Sequence, residues 1–359
     1  MNRFLAGFLV LLAISFGIFL FMPKGNLKGN DNNIVRHEKA VAPKEVIGIY
    51  LTSWSAADPG MVDYVIGLSE RTKVNTVVID IKDWSGHVPY DTDVPEAEKS
   101  ERVIIKDMPG LVKKLHDSGL YVIARVAVFQ DPVLASERSD LAVKSKSGGI
   151  WCDFKGLSWI DPSQKEYWKY IVDLSKDALG KGFDEINFDY IRFPSDGILK
   201  DMDLDIPSER EVIAVFFKYL RESIPDDNIS VDLFGLSTVN KDDLGIGQSI
   251  EDAYQYFDFV CPMVYPSHYA SGFIGLDNPA EHPFEVVGYS MARAKMRLGD
   301  FQSKLRPWLQ DFNMGAVYDT EKVLLQISAV REILGDDYSG YMLWNPENWY
   351  NEEALSEGN

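Results

Sequence analysis

The sequence is poor in cysteine, in clustered basic residues and in the short signatures of cofactor sites. Two cysteines occur in 359 residues, Cys152 and Cys261, far apart and in no CxxC or CxxH pattern, so a zinc site built on sulfur is not expected. Free thiols are the expected state, with a Cys152–Cys261 disulfide left open. Lys and Arg number 36 against 55 Asp and Glu, a formal charge of −19. No basic cluster stands ready to hold a phosphate backbone, which argues against nucleic acid as a partner. The five histidines, His37, His87, His116, His268 and His282, form no HxH or HExxH pair. No strand-like run is followed by GxGxxG or a phosphate-binding loop, so a doubly wound nucleotide-binding sheet is disfavoured and no cofactor or metal is expected.

What is present begins with an uncharged apolar run at residues 4–22, preceded by Arg3 and followed by Pro23 and Lys24. At roughly 20 residues it is long enough to cross a bilayer as a helix, and residues 1–24 read as a signal peptide or a membrane anchor. No small-x-small cleavage pattern closes the run and no Cys follows for lipid attachment, which favours the anchor. Either way the remainder is expected to be exported, held at the outer face of the cytoplasmic membrane or secreted. Residues 25–44 are polar, rich in Gly and Asn and without periodicity, as in a flexible linker. The folded domain is expected over residues 45–359.

In that domain, strand-like runs alternate with helix-like ones. VIGIYLTSW, NTVVIDIKDW, YVIARVAVFQD, FDEINFDYIRFP, ISVDLFGLS, FDFVCPMVYP, KLRPWLQDF and GYMLWNPEN read as strands, separated by segments with apolar residues at helical spacing. Strict alternation implies parallel strands joined by helical crossovers, and about eight pairs fit a closed (β/α)8 barrel in one domain. The two longest loops, residues 85–106 and 131–161, follow the second and third strands, on the face where barrel sites are built.

Polar residues gather at the carboxyl ends of these strands: Asp80, Lys82 and Asp83; Arg125 and Asp131; Asp189 and Arg192; Asp232; Tyr265 and His268; Gln310 and Asp311; Trp344, Asn345 and Glu347. Any one of them could instead cap a helix or join a structural ion pair. On the fourth strand Asn187 and Asp189 share the parity opposite to Ile186, Phe188 and Tyr190, and so are expected to point into the barrel. The same rule turns Asp80 with Lys82, Arg125 and Asp232 inward. Two carboxyls across a cleft are what glycoside hydrolysis requires, one protonated and one ionised. A neighbouring Arg125 or Arg192 suits Asp189 to the ionised role. Asp232, among Val231, Leu233 and Phe234, suits the acid, with Asp311 and Glu347 as substitutes.

FDYIRFP, with PMVYPSHY, RPWLQDF and MLWNPEN downstream, resembles a bacterial family of exported glycoside hydrolase domains of unknown function, over about residues 46–349. The chain is also distantly similar to α-amylase-type barrel glycosidases, in which an Asp ending the fourth strand is the nucleophile. That resemblance implies a (β/α)8 barrel and the nucleophile position for Asp189. It departs from the amylase pattern at Asn187, where an Arg would stand, and at VDLFG on the fifth strand, which lacks a catalytic Glu, so the acid is not carried over. The expected catalytic residues are therefore Asp189, Asp232 and Asp311. Those expected to bind a carbohydrate or polysaccharide substrate are Asp80, Lys82, Arg125, Asn187, Arg192, Tyr265, His268, Trp344, Asn345 and Glu347. Trp54, Trp84 and Trp308 are further candidates for stacking on sugar rings. A barrel of this kind that binds glycan without turnover is the alternative.

Overall fold

The computed structural model describes residues 41–357. The apolar run at residues 4–22 lies outside them, and among the described residues no helix is long and apolar enough to cross a membrane. Eight strands, β1 (Val46–Leu51), β2 (Thr76–Lys82), β3 (Tyr121–Ala127), β4 (Glu185–Asp189), β5 (Asn228–Phe234), β6 (Phe259–Met263), β7 (Trp308–Gln310) and β8 (Gly340–Trp344), run parallel. Each is followed by a helix: α1 (Pro59–Arg71), α2 (Met108–Asp117), α3 (Lys165–Gly180), α4 (Glu209–Ser223), α5 (Ile250–Tyr254), α6 (Pro283–Leu298), α7 (Thr320–Leu334) and α8 (Glu352–Glu357). Each strand pairs with the next, β5 meets β6 through Ser230 and Phe259, and β8 returns to β1 through Gly340 and Val46. Closure leaves no unpaired edge in this (β/α)8 barrel.

Local chemistry sets where the helices begin. Asp58 accepts a hydrogen bond from Gly60 N–H at 2.8 Å, and Pro59 supplies a first helical residue that needs no donor. Asp107, Ser208 and Asp319 cap α2, α4 and α7 in the same way. Period-two alternation then divides the strand residues between two cores. Outward residues such as Ile79, Val126, Ile186, Phe188 and Val231 pack with Val65, Leu68, Ile171 and Phe217 of the helices. Inward residues, including Val46, Tyr50, Val78, Tyr121, Ile123, Phe259, Cys261, Trp308 and Met342, fill the barrel. Both cysteines are free, Cys261 within this inner layer.

One irregularity breaks the alternation. Between Asp80 and Lys82 the pairing of β2 with β3 slips by a residue, so that Asp80 lies opposite Arg125 and Lys82 opposite Val126, an outward position. Lys82 therefore leaves the barrel: its Nζ donates to Ala127 O at 2.7 Å and pairs with Asp131 Oδ2 at 3.1 Å. The loops after β3 and β4 are clasped by an antiparallel pairing of Lys144–Ser145 with Met202–Asp203.

Candidate active site

At the carboxyl ends of the strands, the Arg125 guanidinium is the hub. Its Nη1 donates to Asp80 Oδ1 at 2.5 Å, its Nη2 donates to Asp189 Oδ2 at 2.5 Å, and its Nε stands 3.8 Å from Asp232 Oδ2. The strands β2 to β5 are consecutive, with Asp80 opposite Arg125, Arg125 opposite Asn187 and Asn187 opposite Ser230, and the long Arg125 side chain reaches past that level to Asp189 and Asp232, each two residues further along its strand. The Tyr50 hydroxyl donates to Asp80 Oδ2 at 2.5 Å, and its ring lies on Trp344 with centroids 3.9 Å apart. The guanidinium lies 5.4 Å from the Tyr50 ring and 5.1 Å from that of Trp344. These flat faces add cation–π attraction to the charge pairing.

Three carboxyls thus surround one cation, and the surplus charge acts on the carboxyl held least by it. Asp232 is 1% exposed, and its Oδ1 accepts from Trp308 Nε1 at 2.7 Å and from Asn187 Nδ2 at 2.9 Å. Burial first, and then the Asp189 charge, push the Asp232 carboxyl up to about 8, against the pull of Arg125. With two N–H donors on Oδ1, the proton belongs on Oδ2. Burial also raises Asp80 above the ordinary carboxylate value, opposed by Arg125 and by the Tyr50 hydroxyl.

Asp189 ends β4, where its Oδ1 accepts from the Tyr190 N–H at 2.6 Å. Tyr190 has φ +50°, an outlier for a bulky side chain, and this turn takes the chain out of the strand directly after the carboxylate. Asp189 and Asp232 open on a cavity of about 440 Å³, whose lining also includes Arg125, Arg192, Tyr265, His268 and Trp344. The volume falls in the roughly 300–1,000 Å³ range of small-ligand sites. Burial lowers the pKa of His268, which favours its neutral form. Gly235 forms part of the wall: a Cβ there would sit 2.5 Å from Met263 O and 2.6 Å from the Tyr269 hydroxyl, so only glycine permits this approach of β5 to β6. Among the described residues no group of three or more His, Cys, Asp or Glu is arranged to hold a metal ion.

Of the residues singled out in the sequence, Asp189, Asp232, Arg125, Arg192, Tyr265, His268 and Trp344 line this cavity. Asp80 and Asn187 support it from the barrel interior. Lys82 is not brought there, because the slip in β2 turns it outward. Asp311 does not line the cavity either: its Oδ2 accepts from Asn351 N at 2.8 Å, and burial pushes its carboxyl up to about 7. Asn345 is spent on the turn after β8, where its Nδ2 donates to Asp311 O and Trp349 O, and Glu347 is exposed. Trp54 and Trp84 are exposed outside the cavity lining, and Trp308 is sealed in the barrel beneath Asp232. Sequence reasoning passed over Tyr50, Tyr190 and Phe234 as site residues. Tyr50 shares parity with the inward Val46, and that alternation in VIGIYL was the available signal.

Residues 48–350 match the model of a family described as "Putative glycosyl hydrolase domain". The structure of a hypothetical protein from Ruminiclostridium thermocellum is 36% identical, covering 55% of this chain and 98% of that one, with TM-score 0.49. An α-galactosidase from Thermus thermophilus is 12% identical over 88% of this chain, with TM-score 0.55, and the match spans 61% of that enzyme. The catalytic domain of a β-amylase from Paenibacillus polymyxa is 11% identical over 89% of this chain and 96% of its own, with TM-score 0.53. The last two likenesses show a shared fold alone. A search of curated protein sequences gives no match.

Proposed function

Because the chain belongs to this glycosyl hydrolase domain family, we propose that its cavity cleaves a glycosidic bond held between Asp189 and Asp232. One observation carries the reading. Two carboxyls on adjacent strands open on the same cavity, one pushed up to about 8 and the other charge-paired with Arg125. Near neutral pH Asp232 holds a proton and gives it to the departing glycosidic oxygen. Asp189, ionised, attacks the anomeric carbon or draws a proton from the attacking water. Trp344 and Tyr265 offer flat faces to the sugar ring. The apolar run at residues 4–22 supports a substrate outside the cytoplasm, an extracellular or cell-envelope polysaccharide met by an anchored or secreted enzyme.

The test is reducing-end release from a panel of envelope and environmental polysaccharides by the wild type and by Asp189→Asn. Turnover is expected to fall by about 10⁴ or more in the variant, with the thermal midpoint little moved. Equal turnover by the variant would remove Asp189 from the reaction. A second reading, a membrane-tethered barrel that binds glycan without cleaving it, draws on the engagement of both Asp189 oxygens, by Arg125 and by the Tyr190 N–H. It expects wild-type binding on a glycan array with no product after long incubation.

A further inference from the structure

Among the described residues three arginines are buried, and two of them are neutralised. Arg125 pairs with Asp80 and Asp189, and Arg306 with Glu185. Arg192 is 8% exposed and, among the described residues, has no carboxylate within ion-pairing distance. Its only hydrogen bond there runs from Nη1 to the neighbouring Phe193 O at 3.0 Å. The guanidinium sits instead among rings, 4.8 Å from Trp159, 4.7 Å from Phe234 and 5.4 Å from Tyr190. Asp189, Asp196 and Asp153 act on it only through space, and burial is the larger influence, lowering its pKa.

A guanidinium carries five N–H donors, of which one is used here. The others are not sealed in protein, since no Arg192 nitrogen is among the buried polar atoms left without a partner, and Arg192 lines the cavity. Burying a cation costs several kcal/mol unless it is paired, and rings return only part of that. A cation matched by a buried carboxylate, as Arg306 is by Glu185, is structural. One left with a free donor fork inside an aromatic slot, facing a cavity, is prepared for an anion from outside.

We propose that the sugar bound in this cavity carries an anionic oxygen group, a carboxylate or a sulfate or phosphate ester, and that Arg192 receives it. The proposal rests on the reading of the cavity as a carbohydrate site and narrows its substrate to acidic glycans. Asp189 and Asp232 remain the reacting groups, and Arg192 selects and orients the ring next to them.

Binding is measured by calorimetry with the full chain carrying Asp189→Asn, so that turnover does not deplete the ligand. The probes are oligogalacturonate and its methyl ester, a sulfated and an unsulfated galactan oligomer, and a phosphorylated and an unphosphorylated mannan oligomer. At least one anionic member is expected to bind about ten- to a hundredfold more tightly than its neutral partner, and the pair that responds identifies the group. Adding Arg192→Met should abolish that preference, bringing the two members of the responding pair to equal affinity. Arg192→Lys should keep part of it, having charge without the fork. The thermal midpoints of both variants establish that the slot remains folded, and if Arg192→Met unfolds, Arg192→Lys decides alone. Equal binding within every pair, or a preference that survives Arg192→Met, would overturn the proposal and leave the carbohydrate site standing. Arg192-dependent binding with no hydrolysis by the wild type would remove the glycosidase instead. Failure of every probe to bind would overturn both.

Discussion

The barrel interior holds two ionic clusters, and β4 contributes to both. At its start, Glu185 pairs with Arg306, each 0% exposed, while Ser230 Oγ donates to Glu185 Oε1 at 2.6 Å and the Tyr121 hydroxyl donates to Oε2 at 3.3 Å. At its end, Asp189 shares Arg125 with Asp80 and Asp232 and faces a cavity. The lower cluster balances one acid with one base and is shut. The upper one has more acids than cations and is open. Balance makes a strut, whereas surplus leaves a proton that can be moved.

The sharpest way to break the comparison is to cut each cluster in turn. Glu185→Gln and Arg306→Met each leave an unpaired charge or a buried amide in the sealed layer. Stability should fall by about 3–5 kcal/mol in denaturant titration, with turnover per folded molecule nearly unchanged. Asp189→Asn should do the reverse. Loss of turnover from the lower pair at full stability would erase the distinction.

A smaller effect concerns pH. The Asp232 carboxyl is raised in the folded protein, so its contribution to stability is full below the ordinary carboxylate range near 4 and is lost as pH climbs through about 8. The activity profile should show a basic limb near 8 for the same reason. Asp232→Asn should flatten the stability change between pH 4 and 8. In Asp189→Asn, where a charge that raises Asp232 is gone, the loss should still start near 4 but be smaller and complete at a lower pH. A profile unaltered in both variants would separate Asp232 from this titration.

The smallest effect sharpens the contrast from outside the site. Asp311 is raised to about 7 by burial and carries a hydrogen bond from the Asn351 N–H. Its stability contribution likewise disappears as pH rises through about 7. Asp311→Asn should therefore gain relative stability at pH 9 over pH 5 in thermal melts, with kcat unchanged. A collapse of kcat would return Asp311 to the reacting groups.

The barrel was legible in the sequence because alternation of strand and helix patterns is local and repeated eight times. The helical segments were legible from apolar spacing of the kind Val65 and Leu68 show in Pro59–Arg71. Parity placed Asp189, Asn187, Arg125 and Asp232 inside, as each lies on a strand without irregularity up to that point. It misplaced Lys82, because a one-residue slip leaves no mark in composition. Asp311 and Asn345 were drawn in by their position at strand ends, yet backbone groups of the final loop claim them, which is a matter of tertiary contact. Tyr50 went unnoticed since an aromatic in a buried strand reads as packing. Its hydroxyl on Asp80 becomes visible only when β1 and β2 are set side by side.

The slip in β2 has a consequence for the arithmetic of the site. With regular pairing, Ile81 would face Val126 and Lys82 would take the position opposite Ala127, beside Asp189. A second cation there would set two positive charges against the three acids and pull the Asp232 carboxyl down, against the burial that raises it. Titration behaviour at the mouth of the barrel therefore hangs on how many residues the ladder counts between Asp80 and Lys82. Two chains with the same charged side chains, differing only in the phase of one strand, would hold that proton with different strength.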